Sequence, residues 1–357
     1  MKAAILDQYR QPLRIDDVAD PQGGPGAVVV RIEASGVCRT DWHFWNGDWD
    51  WLGIRPPVPV ILGHEYCGTV VEVGAGVSTL RVGDKVTVPF HEGCGRCPSC
   101  MSGYSNRCQK PDYPGGTHSG AFAEFIAVPN AEFNCVPVPE SVDPAGAALL
   151  GCRYMTAYRA VMRAGAVEAG QSVLVLGVGG MGLAAAQLAM ALGANVIAVD
   201  PNPAALGKAE EIGVPHVLDP EESDPTAIAD LTGGGAHVAI DAICRQETVL
   251  TGIRAVRTGG TFVQAGLTTD DLRGSVSIPI DEVTAREISV KGSYGNPRSD
   301  YDQLLALVAS GRVHPEALVG GRIDLADINT VIKQMTDYSH VGVTVIDSFG
   351  RDSQEAK

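Results

Sequence analysis

Residues 173–182 read Val173-Leu174-Val175-Leu176-Gly177-Val178-Gly179-Gly180-Met181-Gly182, and an Ala-rich stretch from Leu183 to Leu192 follows. A short apolar run that breaks into glycines reads as a buried strand and turn, and the Ala-rich stretch reads as a helix. The pattern is G-x-G-x-x-G, and each glycine has a physical task. Gly177 permits the tight turn, Gly179 lets backbone approach a pyrophosphate, and Gly182 lets helix and strand pack closely, with Gly180 and Met181 on the same turn. A pyrophosphate placed there rests on the helix N-terminus, where free N–H groups and the helix dipole favour anions.

The same rhythm continues outward. Val196–Val199 reads as a second buried strand, Ala204–Ile212 as a helix, and Val238–Ala242 and Thr261–Ala265 as further strands. Fully apolar strands alternating with helices predict a parallel sheet covered on both faces, so a nucleotide-binding α/β domain is expected at 154–292. The second strand runs into Asp200, where a carboxylate would bind a ribose 2′-hydroxyl and repel a 2′-phosphate. No Lys or Arg follows it before Lys208. The expected cofactor is therefore NAD rather than NADP.

Before residue 150 the chain has another character. Ala27–Glu33, Gly68–Val73 and Asp84–Val88 are short β-rich runs, separated by Gly and Pro as in Pro56-Pro57-Val58-Pro59. Strands of that length with that punctuation predict a compact all-β body. Beyond 295, a helix at Tyr301–Ser310 and a strand at Val341–Ile346 are expected to pack back on it. Gly350 to Lys357 are expected to fray.

Composition narrows the function classes. Of 357 residues, 45% are hydrophobic and 19% charged, which excludes a mainly disordered chain, and the length suits two domains. No apolar run reaches the roughly 18 residues a membrane span needs. The first twenty residues carry charges throughout and show no secretory signal, so a cytoplasmic protein is expected. With 27 Lys and Arg against 42 Asp and Glu the net charge is −15, a field that repels nucleic acid and anionic membranes.

Nine cysteines remain, and their clustering points to metal rather than disulfides. Cys94, Cys97, Cys100 and Cys108 lie on one glycine-rich loop. Four thiolates with no open position describe a closed tetrahedral site, hence structural zinc; the spacing differs from a ferredoxin run, which has three residues before its last Cys and a Pro after it. Cys67, Cys135 and Cys244 read as buried packing thiols. Cys38, His64 and Cys152 form no local cluster, and each read singly is an ordinary core residue.

Their flanking residues change that reading. Cys38-Arg39-Thr40-Asp41-Trp42-His43, then Gly63-His64-Glu65, the four-Cys lobe, Gly151-Cys152, the glycine turn and Gly259-Gly260-Thr261 follow one another in an order that resembles the zinc-dependent medium-chain alcohol dehydrogenases. The resemblance covers nearly the whole chain. It implies an α/β plus β architecture: a GroES-like β-rich catalytic domain at 1–153, a doubly wound Rossmann domain at 154–292, and a segment at 293–357 returning to the catalytic domain. It implies that Cys38, His64 and Cys152 hold a catalytic zinc, giving two zinc ions per chain with the four-Cys site. Glu65 is then the acid beside the metal and Asp41 the carboxylate holding the His64 ring. Thr40 and His43 are the proton relay, and Arg39 pairs with the cofactor pyrophosphate.

The implied reaction is interconversion of primary or secondary alcohols and aldehydes or ketones by hydride transfer with NAD. The alternatives are a polyol, sugar or amino-alcohol dehydrogenase on the same scaffold and, more distantly, a non-catalytic zinc- and nucleotide-binding protein. Two positions depart from the family: Ala205 stands where relatives carry a Lys, and Gly342-Val343 where many carry Gly-Arg. All four tryptophans fall between 42 and 51. Trp45 and Trp49, with Phe90, are candidates for an apolar pocket wall. A homo-oligomer, tetramer or dimer, is implied by the family.

Overall fold

The apolar run Ser172–Leu176 has every residue buried and is a central strand of a six-stranded sheet. In this computed structural model residues 1–350 are described; the expected fraying from Arg351 onward lies outside them. The chain divides into two compact units. One comprises Met1–Cys152, Gly295–Gly311 and the chain from Pro315; the other comprises Arg153–Tyr294 with Arg312–His314.

Strands of the first unit are β1 (Lys2–Leu6), β2 (Arg14–Asp17), β3 (Val28–Gly36), β4 (Val60–Ile61), β5 (Glu65–Val73), β6 (Lys85–Thr87), β7 (Phe125–Val128) and β8 (Val136–Pro137). The second unit contributes β9 (Ser172–Leu176), β10 (Asn195–Val199), β11 (His216–Leu218), β12 (Ala236–Asp241), β13 (Val256–Gln264) and β14 (Ser289–Gly292). The chain then returns to the first unit as β15 (Val319–Asp324) and β16 (Val343–Ser348).

The second unit's strands lie in the order β11-β10-β9-β12-β13-β14, all parallel. That is the doubly wound order, with its switch point between β9 and β12, where such sheets bind nucleotides. Leu174 of β9 stands opposite Ile197 on one side and Ala239 on the other, and these residues share a buried cluster with Phe262. The helix Gly180–Ala191 begins three residues earlier than the sequence suggested, because the turn glycines themselves open it.

In the first unit a seven-stranded sheet runs β15-β16-β3-β5-β6-β8, with β7 also on β3. Its core gathers Val30, Tyr66, Val70, Val86 and Ile126. A second sheet, β2-β1-β4, packs a separate core of Leu6, Trp42, Leu62, Phe122, Ile328 and Ile332. The punctuation led to the expectation of an all-β body, and the helix Arg39–Asn46 within it corrects that. Eight residues rich in aromatics are too short and too poor in helix formers to announce themselves by periodicity. The final strand starts at Val343 rather than Val341, since Gly342 adopts a left-handed φ of 68°. Among the described residues no helix is long and apolar enough to cross a membrane.

Candidate active site and metal centres

Cys38 caps the helix Arg39–Asn46, and Asp41 on its first turn is wholly buried. That one carboxylate ties three segments together. Its Oδ2 accepts from the Cys38 amide at 2.8 Å, and its Oδ1 accepts from the Gly63 amide at 3.2 Å. The same Oδ1 lies 2.9 Å from His64 Nδ1. A carboxylate can only accept, so Nδ1 carries the hydrogen and Nε2 offers its lone pair. His64 Nε2 is buried and has no protein partner.

That lone pair is where a cation fits. The donor atoms of Cys38, His64, Glu65 and Cys152 all lie within 4.8 Å of one another, and all four residues are buried. Glu65 opens β5 opposite Gly36 of β3, and a side chain at Gly36 would collide with its Oε2. Cys152 lies just past Gly151, whose carbonyl accepts from the Phe90 amide at 2.8 Å. Burial opposes a proton on His64, but the Asp41 and Cys38 charges outweigh it and raise the imidazole's pKa. A metal ion satisfies the same charges in place of that proton. Two thiolates, one imidazole and a nearby carboxylate are the donor set of a catalytic zinc, which leaves one position open.

The other cluster is local. The sulfurs of Cys94, Cys97, Cys100 and Cys108 also lie within 4.8 Å of one another, against about 3.8 Å expected between sulfurs around a tetrahedral zinc. Backbone amides already point at them: Cys94 N and Lys110 N donate to Cys108 Sγ. Amides of Gln109 and Cys100 lower the Cys97 thiol to about 6, favouring thiolate. Burial raises Cys100 of the same cluster to about 12, as it does Cys67 outside it. The lobe is pinned to its unit by Asn134, which accepts from Gly93 N and donates to Gly93 O.

Around the first cluster, Phe90 meets the His64 ring edge-on at 6.1 Å. Thr40 is half-buried on the first turn of the helix. His43, on its second turn, is stacked on Trp49 and paired with Asp48. Trp45 donates Nε1 to the Gln11 carbonyl. Arg39 lies between the Trp42 and Tyr338 rings, at 4.0 and 4.6 Å from their centroids, and donates to the Met335 carbonyl. Asp48 was not singled out by its sequence context; its only signal is a Gly-Asp pair directly after a short helix.

In the second unit the glycine turn has the geometry its spacing suggested. Gly177 has a φ of 85°, and a side chain there would strike Ile243. A Cβ on Gly182 would lie 1.8 Å from the Gly177 carbonyl oxygen, and one on Gly180 2.5 Å from Arg153 Nε. Gly179 faces open space. Asp200 Oδ2 accepts from Val178 N at 2.9 Å and Oδ1 from Asn202 N at 2.8 Å, so the acid joins the turns after β9 and β10. The start of the helix Gly180–Ala191 and a carboxylate thus stand side by side, and a helix N-terminus of this kind favours anions.

The chain matches two family models, the alcohol dehydrogenase GroES-like domain over residues 24–140 and the zinc-binding dehydrogenase domain over residues 180–310. It is 35% identical to an alcohol dehydrogenase of Geobacillus stearothermophilus over 94% of this chain and 95% of that protein. Among solved structures, the alcohol dehydrogenase TADH from Thermus sp. ATN1 superposes with a TM-score of 0.88 at 28% identity, covering 97% of this chain and 99% of that one. A dehydrogenase from Sinorhizobium meliloti 1021, described as zinc-binding and bound to NADP, does so at 0.83 and 30% identity over 97% and 98%. The two-unit fold, the paired cysteine clusters and these likenesses agree: the chain belongs to the zinc-dependent medium-chain alcohol dehydrogenase family, enzymes that use zinc and a nicotinamide dinucleotide.

Proposed function

We propose that this enzyme interconverts primary or secondary alcohols with aldehydes or ketones, using NAD, and that Cys38, His64 and Cys152 hold its catalytic zinc while Cys94, Cys97, Cys100 and Cys108 hold a structural one. The observation that carries the reading is His64. Its Nδ1 is fixed by Asp41 and its Nε2 is aimed into a buried pair of thiols with no protein partner. Zinc held there would supply Lewis acidity that eases loss of the substrate's hydroxyl proton, and a bound nicotinamide would supply the hydride acceptor.

The chain's own groups do the rest. Asp41 keeps the imidazole in one tautomer and orientation. Phe90, edge-on to His64, excludes water on that side. Thr40 Oγ1 receives the hydroxyl proton and passes it on, and His43 takes it at Nε2 and releases it to solvent. Glu65 offers a carboxylate that can approach the metal while the open position exchanges ligands. The turn 177–182 and Asp200 hold the cofactor, with Arg39 as a cation for its pyrophosphate. Support for NAD over NADP is the Asp200 carboxylate, since a second anion beside it is repelled.

Two coarser readings accompany this one. Every residue of the edge strand β14 is exposed, and Val290 and Ile280 present 42% and 59% of their surface, which supports pairing with a second copy. Six cysteines gathered into two metal-type clusters require reduced thiols, which supports a cytoplasmic setting.

The test is nicotinamide reduction with NAD and NADP in parallel across short, aromatic and polyhydric alcohols, with metal content measured on the same sample. Turnover of an apolar alcohol with NAD is expected. Turnover of polyols alone, or with NADP alone, overturns the substrate or cofactor assignment respectively.

A further inference from the structure

His43 sits on the helix Arg39–Asn46 and is only 9% exposed. Past Asn46 the chain reverses sharply: Gly47 takes a left-handed φ of 73°, and the Gly47 and Asp48 amides both donate to the His43 carbonyl, at 2.9 and 3.1 Å. A residue with a side chain is strained in that conformation. The reversal brings Asp48 back under the imidazole, with Oδ2 2.6 Å from His43 Nδ1. Asp48 is itself only 5% exposed, and its other oxygen accepts from Asn46 Nδ2. Trp49 completes the socket, stacked on the imidazole at 4.6 Å and 26°, while Trp42 meets the ring edge-on at 5.2 Å.

The ring is therefore held on two faces and at one nitrogen. With Nδ1 bonded to a carboxylate, Nε2 is the nitrogen left to exchange protons. The charges around the pair are few. Burial pushes the Asp48 carboxyl up, yet the His43 hydrogen bond and charge, with help from Asn46 and Arg39, hold it below its ordinary value. Asp50 is exposed and pairs with Arg55. From the helix Ile328–Thr336 the contacts on this side are neutral: the Thr336 hydroxyl and the Met335 carbonyl. Lys333 of that helix is exposed.

We propose that Asp48 is a positioning residue for proton transfer, which fixes the His43 ring with Nε2 available and stabilises the imidazolium that forms when the ring takes the substrate's proton. The proposal rests on the reading of His43 as the end of the relay. Each alcohol oxidised releases one proton; His43 gains it at Nε2 and loses it to solvent, so the pair returns unchanged.

The test uses Asp48→Asn, which keeps the shape and a neutral acceptor but removes the charge, and Asp48→Glu, which keeps the charge. In the cofactor-free protein, nitrogen-15 NMR of labelled histidines is expected to show the His43 titration midpoint falling by about one to two pH units in Asp48→Asn. In turnover, the midpoint of the kcat/KM profile for alcohol oxidation falls with it, and the plateau drops about tenfold. Asp48→Glu restores the midpoint, and Asp48→Asn adds nothing in a His43→Gln background. An unmoved His43 midpoint overturns the proposal, as does an equal loss in the His43→Gln background. If the wild type oxidises no alcohol, the function reading fails while the NMR titration still decides whether Asp48 sets the basicity of His43.

Discussion

The four-cysteine lobe takes its sulfurs from residues 94–108, whereas the other cluster is assembled from the end of β3, the start of β5 and the residue after Gly151. The two also differ in what holds them. Cys94 and Cys97 are half-exposed, on a loop whose only regular pieces are single helical turns. Cys38, His64, Glu65 and Cys152 are all buried, with Glu65 held by sheet pairing and Cys38 and His64 by Asp41. A lobe with so little core of its own needs its metal to stay folded, while a cluster built on a sheet is organised before any metal arrives. One site should therefore fail in stability and the other in chemistry.

The largest contrast comes from removing one ligand at each site. Cys152→Ser is expected to lower bound zinc from two per chain to one and take activity to background, with little change in melting temperature. Cys97→Ser is expected to lose the other zinc, lower the Tm by roughly 5–10 °C, and open the lobe to proteolysis. Metal analysis and melting on both variants decide it. Full zinc content in Cys152→Ser, or wild-type melting in Cys97→Ser, breaks the distinction.

Asp41 sharpens it further, because it acts on one cluster without being a ligand. Asp41→Asn keeps an acceptor for the Cys38 amide but weakens the hold on His64 Nδ1. Zinc affinity at that site is expected to fall by about ten- to a hundredfold in competition with a chelator, and the four-cysteine site is expected to keep its metal.

How visible each region is in the sequence follows the same division. The four-cysteine lobe and the glycine turn are local, so spacing alone exposes them: Gly177 and Gly182 stand where a Cβ would strike Ile243 or the Gly177 carbonyl. The strands β9 and β10 are legible for a related reason, since burial on both faces makes them continuous apolar runs. Cys38, His64 and Cys152 are far apart in the chain and meet only in the fold, Cys38 and His64 through β3–β5 pairing and Asp41. Their reading depended on the family resemblance. Asp48 shows what stays hidden, because its role depends on a left-handed turn at Gly47 that folds a loop carboxylate back onto its own helix. Trp49 was expected to line a pocket for its apolar surface, and nothing in its spacing shows that its face lies on His43.

A smaller effect is expected in the second unit. Asp200→Ala removes the acceptor for the Val178 and Asn202 amides and the carboxylate proposed for the ribose. NAD affinity is expected to fall about tenfold, near 1.4 kcal/mol, with NADP changed less, in a fluorescence titration without substrate. Equal losses for both cofactors mean that Asp200 supports the turn and does not select the ribose. Zinc content is expected to stay at wild type, separating this defect from those at either metal.

The smallest effect tests whether a cysteine's place or its mere presence near the site matters. Cys67 lies on β5, three residues past His64, wholly buried opposite Ala34 and Thr87. Burial raises its thiol to about 12, as it does that of Cys100, so its place sets it apart: its sulfur is not among the donor atoms gathered around His64. Cys67→Ala removes only packing, and a cost of about 1 kcal/mol is expected in the denaturant midpoint, with zinc content and turnover unchanged. A drop in zinc would mean that the buried cluster recruits sulfur beyond Cys38 and Cys152. The unchanged result would show that a thiol's place in the fold, and not burial or nearness in sequence, decides which cysteines of the first unit become ligands.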